Sequence, residues 1–100
     1  MGRRQFQDVF EEVYTGSVTF DPANILDGDE IAQNITVTGA ALGDVVLAVS
    51  SSIDVTDLVL DAQVTAANTV TAVLANNTGA AVNLGSTKVR IVVARVADLK

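Results

Sequence analysis

The sequence predicts an all-β fold, an antiparallel β-sandwich or small barrel of about six to eight strands with a short N-terminal arm or helix. Three observations carry this. Apolar and polar residues alternate at period two through much of the chain, as half-buried strands require. Valine and threonine are abundant and the one proline is Pro22, a composition that favours strands over helices. Short polar connections marked by glycine separate the alternating runs, the punctuation of sandwiches and barrels. A chain of 100 residues makes one domain, able to bury roughly two-thirds of its unfolded surface. The expected organisation is an arm over residues 1–14, a β-domain over 15–97 and a tail over 98–100.

The arm differs from the rest. Phe6, Val9, Phe10, Val13 and Tyr14 fall at helical spacing, with Asp8, Glu11 and Glu12 on the opposite side. So short a helix does not hold alone in water, and it needs a surface: its own domain, or a neighbouring subunit or other protein. Burying Phe6 and Phe10 would contribute about 1.5–3 kcal/mol each. These five residues are candidates for binding a partner.

The first strand is expected over Tyr14–Phe20, with Val18 and Phe20 inward and Ser17 and Thr19 outward; Asp21-Pro22 ends it. Asn24–Glu30 reads as an acidic, solvated turn around Gly28. Its oxygen ligands lack the distal glutamate of a calcium loop. In the second strand Ile35 and Val37 point inward and Asn34, Thr36 and Thr38 outward, followed by a flexible connection over Gly39–Asp44. The third, Asp44–Ser50, is apolar at every position from Val45 to Val49, so both of its faces want cover. Val46 and Ala48 join the candidate partner-binding residues for that reason. Ser50–Ser52 and Ile53–Asp57 then cross to the other sheet.

The most legible stretch is Leu58–Ala75. Leu58, Leu60, Ala62 and Val64 alternate with polar residues, and Val70, Ala72 and Leu74 resume the pattern. Facing residues of a hairpin share a face, so Val64 must oppose Val70 and Leu60 must oppose Leu74. That register needs an odd loop, Ala66-Ala67-Asn68, with Asn68 in the left-handed conformation. Asn76–Gly79 is a turn and Ala81–Leu84 a short crossing. Thr78-Gly-Ala-Ala81 echoes Thr38-Gly-Ala-Ala41, which at four residues is weak evidence of duplication. In the last strand Val89, Ile91 and Val93 point inward, and Lys88 and Arg90 outward. Arg95 has inward parity, which predicts an end or a bulge near Ala94.

The chemistry on offer is sparse. The chain has no histidine and no cysteine, which removes Ser-His and Cys-His pairs, disulfides and thiolate metal sites. Asp54, Asp57 and Asp61 lie near one another in sequence, but a saccharide site also wants aromatic platforms, and the β-domain has only Phe20 for that role. No enzyme, no cofactor and no metal site is expected. The net charge is −6 with six basic residues; phosphate-tracking surfaces need clustered Lys and Arg, so nucleic acid is not an expected partner. No apolar run reaches the ~18 residues of a membrane span. The N-terminal residues read neither as a signal peptide nor as a myristoylation motif, and Asn34-Ile-Thr36 and Asn76-Asn-Thr78 therefore carry no glycosylation reading.

Four stretches carry a resemblance: Gly16-Ser-Val-Thr-Phe-Asp-Pro22, Val37-Thr-Gly-Ala-Ala-Leu-Gly-Asp-Val-Val46, Val64-Thr-Ala-Ala-Asn-Thr-Val-Thr71 and Leu74-Ala-Asn-Asn-Thr-Gly-Ala-Ala-Val82. From Gly16 to Val96 the chain resembles small β-domains among the structural proteins of tailed bacteriophages. A copy with a short arm is similar to capsid decoration (cement) proteins. The resemblance implies a homo-oligomer, with a trimer expected on symmetry grounds, that binds the major capsid protein on the virion surface after synthesis in the host cytoplasm. It implies no catalytic residue. The alternative is a tail or fibre domain that binds a host-surface glycan or protein through Asp27, Asp29 and Asn76–Thr78.

Overall fold

The computed structural model describes residues 10–22, 24–55 and 57–96, the side chains of Phe10 and Glu11 excepted. Six strands are present: β1 Phe10–Phe20, β2 Glu30–Thr36, β3 Val45–Ser51, β4 Val59–Ala66, β5 Thr69–Ala75 and β6 Thr87–Val96. They form two three-stranded sheets, β1-β6-β3 and β2-β5-β4, and every pairing is antiparallel. No helix occurs among the described residues. The inward residues of both sheets merge into one core, with Phe20, Ile35, Val70, Leu74, Val89, Ile91 and Val93 all buried in it. Apart from the β4–β5 hairpin, every connection carries the chain from one sheet to the other.

The hairpin has the expected register. Val64 pairs with Val70 and Leu60 with Leu74, and Asn68 is left-handed at φ 61. The loop itself differs from the expected Ala66-Ala67-Asn68: Ala66 pairs with Thr69, leaving Ala67-Asn68 as the turn, and the register shifts between Val64 and Ala66, so Thr65 takes up the odd residue.

The helical expectation for residues 10–14 is overturned. Phe10–Tyr14 form the first half of β1, paired with β6 from Val96 to Val93. The apolar spacing also fits a strand interrupted once, because the register shifts between Phe10 and Glu12. Beyond that shift, Val13 and Tyr14 point to opposite faces. Phe10–Tyr14 thus belong to the β-sheet rather than to an arm; Phe6 and Val9 lie outside the described residues.

The expected break near Ala94 is corrected too. β6 runs on to Val96, and the irregularities lie in its neighbours, in β1 as above and in β3 between Val46 and Ala48. An extra residue in β3 turns Val46 and Val49 both toward the core, while Leu47 and Ala48 are exposed.

The connection after β2 is not a loose one. Val37 and Ala40 are buried, and Asn68 clips the segment: its N–H donates to the Ala40 carbonyl (2.7 Å), and its own carbonyl accepts from Val37 N–H (2.9 Å). Its side-chain Oδ1 accepts from Gly39 N–H at 2.8 Å. At the opposite end Asn76, fully buried, donates to the carbonyls of Ile25 (2.8 Å) and Ala80 (2.9 Å). Its Oδ1 accepts from the N–H and hydroxyl of Thr78. The molecule therefore has an Asn68 end and an Asn76 end, and the acidic turn before β2 is tied down at the latter through buried Ile25, bridged to Val82.

Candidate interaction surfaces

Parity along each strand decides which side chains face solvent, and the register then assembles them into rows. On the outer face of the β1-β6-β3 sheet, Val13, Ala94 and Val45 form one row, and Thr15, Val92 and Ala48 the next. Four large apolar side chains stay open to water on this sheet: Val13 44%, Val45 38%, Leu47 41% and Val96 39% exposed. Toward the Asn76 end the same face changes character. Ser17, Arg90 and Ser50 share a row, and Thr19 pairs with Lys88; Lys88 and Arg90 are both exposed. Among the described side chains of these three strands, no carboxylate holds an outward position on this face.

The outer face of the β2-β5-β4 sheet is different. Asn34, Thr71 and Gln63 form a polar row, in which the Thr71 hydroxyl donates to Asn34 Oδ1 (2.8 Å) and also shares a hydrogen bond with the Thr65 hydroxyl (2.9 Å). A shallow open hollow of about 220 Å³ lies there, with Asp61 as its one carboxylate; Asp61 Oδ1 accepts from Ala62 N–H at 2.8 Å. Nearer the Asn76 end the rows are Ala32, Val73 and Asp61, then Glu30, Ala75 and Val59. Val59 is 55% exposed.

The Asn68 end is closed by a charged cluster. Arg95 keeps its inward parity because it has partners: its Nε and Nη2 donate to Asp44 Oδ1 and Oδ2, both at 3.1 Å, and Nη2 also donates to the Gly39 carbonyl. Its guanidinium lies 5.4 Å from the centre of the Tyr14 ring, within cation–π range, and Glu12 is a looser partner at 3.8 Å. The Asp44 side chain is 5% exposed. Hydrogen bonding from Arg95, and then from Ala41 N–H, holds its carboxyl below the ordinary carboxylate range against the opposing effect of burial. The Tyr14 hydroxyl is raised above its ordinary value, chiefly by its hydrogen bond to Glu12. This two-pronged arginine–carboxylate contact is a clasp. It holds the segment after β2 over the core.

The partner-binding candidates separate accordingly. Val13 and Ala48 lie exposed on the outer face of β1-β6-β3. Tyr14 and Val46 are half-buried and pack against the core. Phe10 is placed by its backbone opposite Val96, and Phe6 and Val9 are outside the described residues. Of the alternative set, Asp27 accepts from Gly79 N–H at 3.0 Å and Asn76 is buried, so those residues are engaged in holding their own loops. The reading of the sequence missed Val45, Leu47, Val92 and Val96. A signal existed in β6, where Val92 and Val96 share the outward parity of Lys88 and Arg90. Among the described residues, no group of three or more His, Cys, Asp or Glu side chains could hold a metal, and no helix is long and apolar enough to cross a membrane. No family model, curated protein or solved structure matches the chain.

Proposed function

We propose that this chain is a decoration (cement) protein of a tailed bacteriophage, a β-sandwich that binds the outer shell and bridges adjacent major capsid subunits. It acts without catalysis or cofactor, as a homo-oligomer for which a trimer is the expected stoichiometry, and resides on the virion surface. The observation that carries the reading is the uncovered apolar face of the β1-β6-β3 sheet, on a domain whose two ends are tied by side-chain clasps. Contiguous exposed apolar surface on a small domain marks an interaction site, and rigid ends suit a mechanical role. A protein that binds the assembled shell and not its loose subunits stabilises the assembled state by mass action. The sequence resemblance supplies the kind of particle.

The test is the copy number of this chain on purified particles, measured by quantitative mass spectrometry against the main shell protein. Copies in near proportion to the shell protein are expected. A few copies per particle would move the assignment to the tail or fibre, and absence would overturn it. Deleting residues 2–9, which stops short of β1, tests the arm: shell binding should be lost while the β-fold, read by circular dichroism, is kept. Retained binding would remove the arm from the mechanism.

A further inference from the structure

Two outer faces of opposite charge, each with apolar side chains among the charges, lie on opposite sheets of the same chain. On the outer face of β1-β6-β3, the apolar end with Val13, Val45 and Leu47 gives way, beyond the row of Val92, to Arg90 and then Lys88. On the outer face of β2-β5-β4, exposed Val59 and the half-buried Val73 and Ala75 share two adjacent rows with Glu30 on one edge strand and Asp61 on the other. We propose that copies of this chain associate head to tail, the cationic apolar face of one against the acidic apolar face of the next. The inference gives the contact within the homo-oligomer of the proposed function and rests on that part of it alone. In a closed ring the β1-β6-β3 face is covered by the neighbouring copy, which leaves contact with the shell to the arm; copy number on particles and the deletion of residues 2–9 test that part separately.

Charge selects this arrangement over the symmetric ones. Pairing two β1-β6-β3 faces would bring Lys88 and Arg90 of both copies together, with no carboxylate at a described outward position of the three strands to receive them. Pairing two β2-β5-β4 faces would oppose Glu30 and Asp61 with their own kind. Like-charge juxtaposition suppresses such pairings, and complementary charge fixes partner and register while the apolar contact supplies the attraction. Because the two faces differ, the contact is heterologous: each added copy leaves a free face of each kind, and growth continues until a ring closes. Exposed charges are screened beyond about 8 Å at physiological salt, so the association is salt-sensitive.

Sedimentation velocity over a range of protein and salt concentrations, with two double variants, tests the contact. The variants are Lys88→Glu with Arg90→Glu, and Glu30→Lys with Asp61→Lys; all four positions are exposed. The wild-type mass should rise past the dimer with concentration and fall back with added salt. Each variant alone should stay monomeric where the wild type associates. An equimolar mixture of the two should associate again, since every contact then meets opposite charge, and this recovery shows that both variants are folded. A wild type that stays monomeric overturns the proposal. So does association retained by either variant alone, the result that same-face pairing would give.

Discussion

Asn68 shows why one residue type fits one place. Its φ of 61 suits glycine or asparagine, but its side chain also accepts the Gly39 N–H. Glycine would keep the conformation and lose that bond, at about 0.5–1.5 kcal/mol. Alanine would lose the bond and add left-handed strain of roughly 1–2 kcal/mol. Urea denaturation should therefore rank stability as wild type, then Asn68→Gly, then Asn68→Ala; equal midpoints for the two variants would discount the strain. The conformation was legible in the sequence because hairpin parity demanded an odd loop. The hydrogen bond across to Gly39 was not, since nothing local brings residues 29 positions apart into contact.

At the scale of elements, β3 is the instructive strand. Its continuous apolar run from Val45 to Val49 states that both faces want cover without saying which side chain serves which. The shift between Val46 and Ala48 decides it, placing Val46 in the core and Leu47 outside. Val46→Asp should accordingly prevent folding, since an unpaired carboxylate in the core is costly. Leu47→Asp should change stability by no more than about 0.5 kcal/mol, as urea midpoints would show. Comparable losses at both positions would contradict the bulge. The segment Phe10–Tyr14 was misread for a related reason. An irregularity within a strand gives apolar spacings of three and four that imitate a helix, and only pairing with β6 distinguishes the two.

For the molecule as a whole, the Asp44–Arg95 clasp links its closed end to pH. Asp44 is held below the carboxylate range in the folded state, so its contribution is complete above the unfolded value of about 3.9 and is lost as pH falls through the folded one. Wild-type stability should drop with acidification below about pH 4. Asp44→Asn should be the less stable protein at neutral pH and show a shallower acid slope, measured as urea midpoints between pH 6 and pH 2 at fixed ionic strength. An unchanged slope would mean that Asp44 takes no part in the acid transition.

By itself the sequence determined the all-β class, the hairpin register, the inward residues of the last strand and the scarcity of catalytic chemistry. Those follow from alternation, turn chemistry and composition, which are local. The tertiary structure alone decided which outer face is left most apolar, that Arg95 is satisfied inside rather than expelled, and that Lys88 and Arg90 hold the outer face of one sheet while Glu30 and Asp61 hold that of the other. These depend on register between strands far apart in the chain, where one extra residue moves every later side chain to the other face.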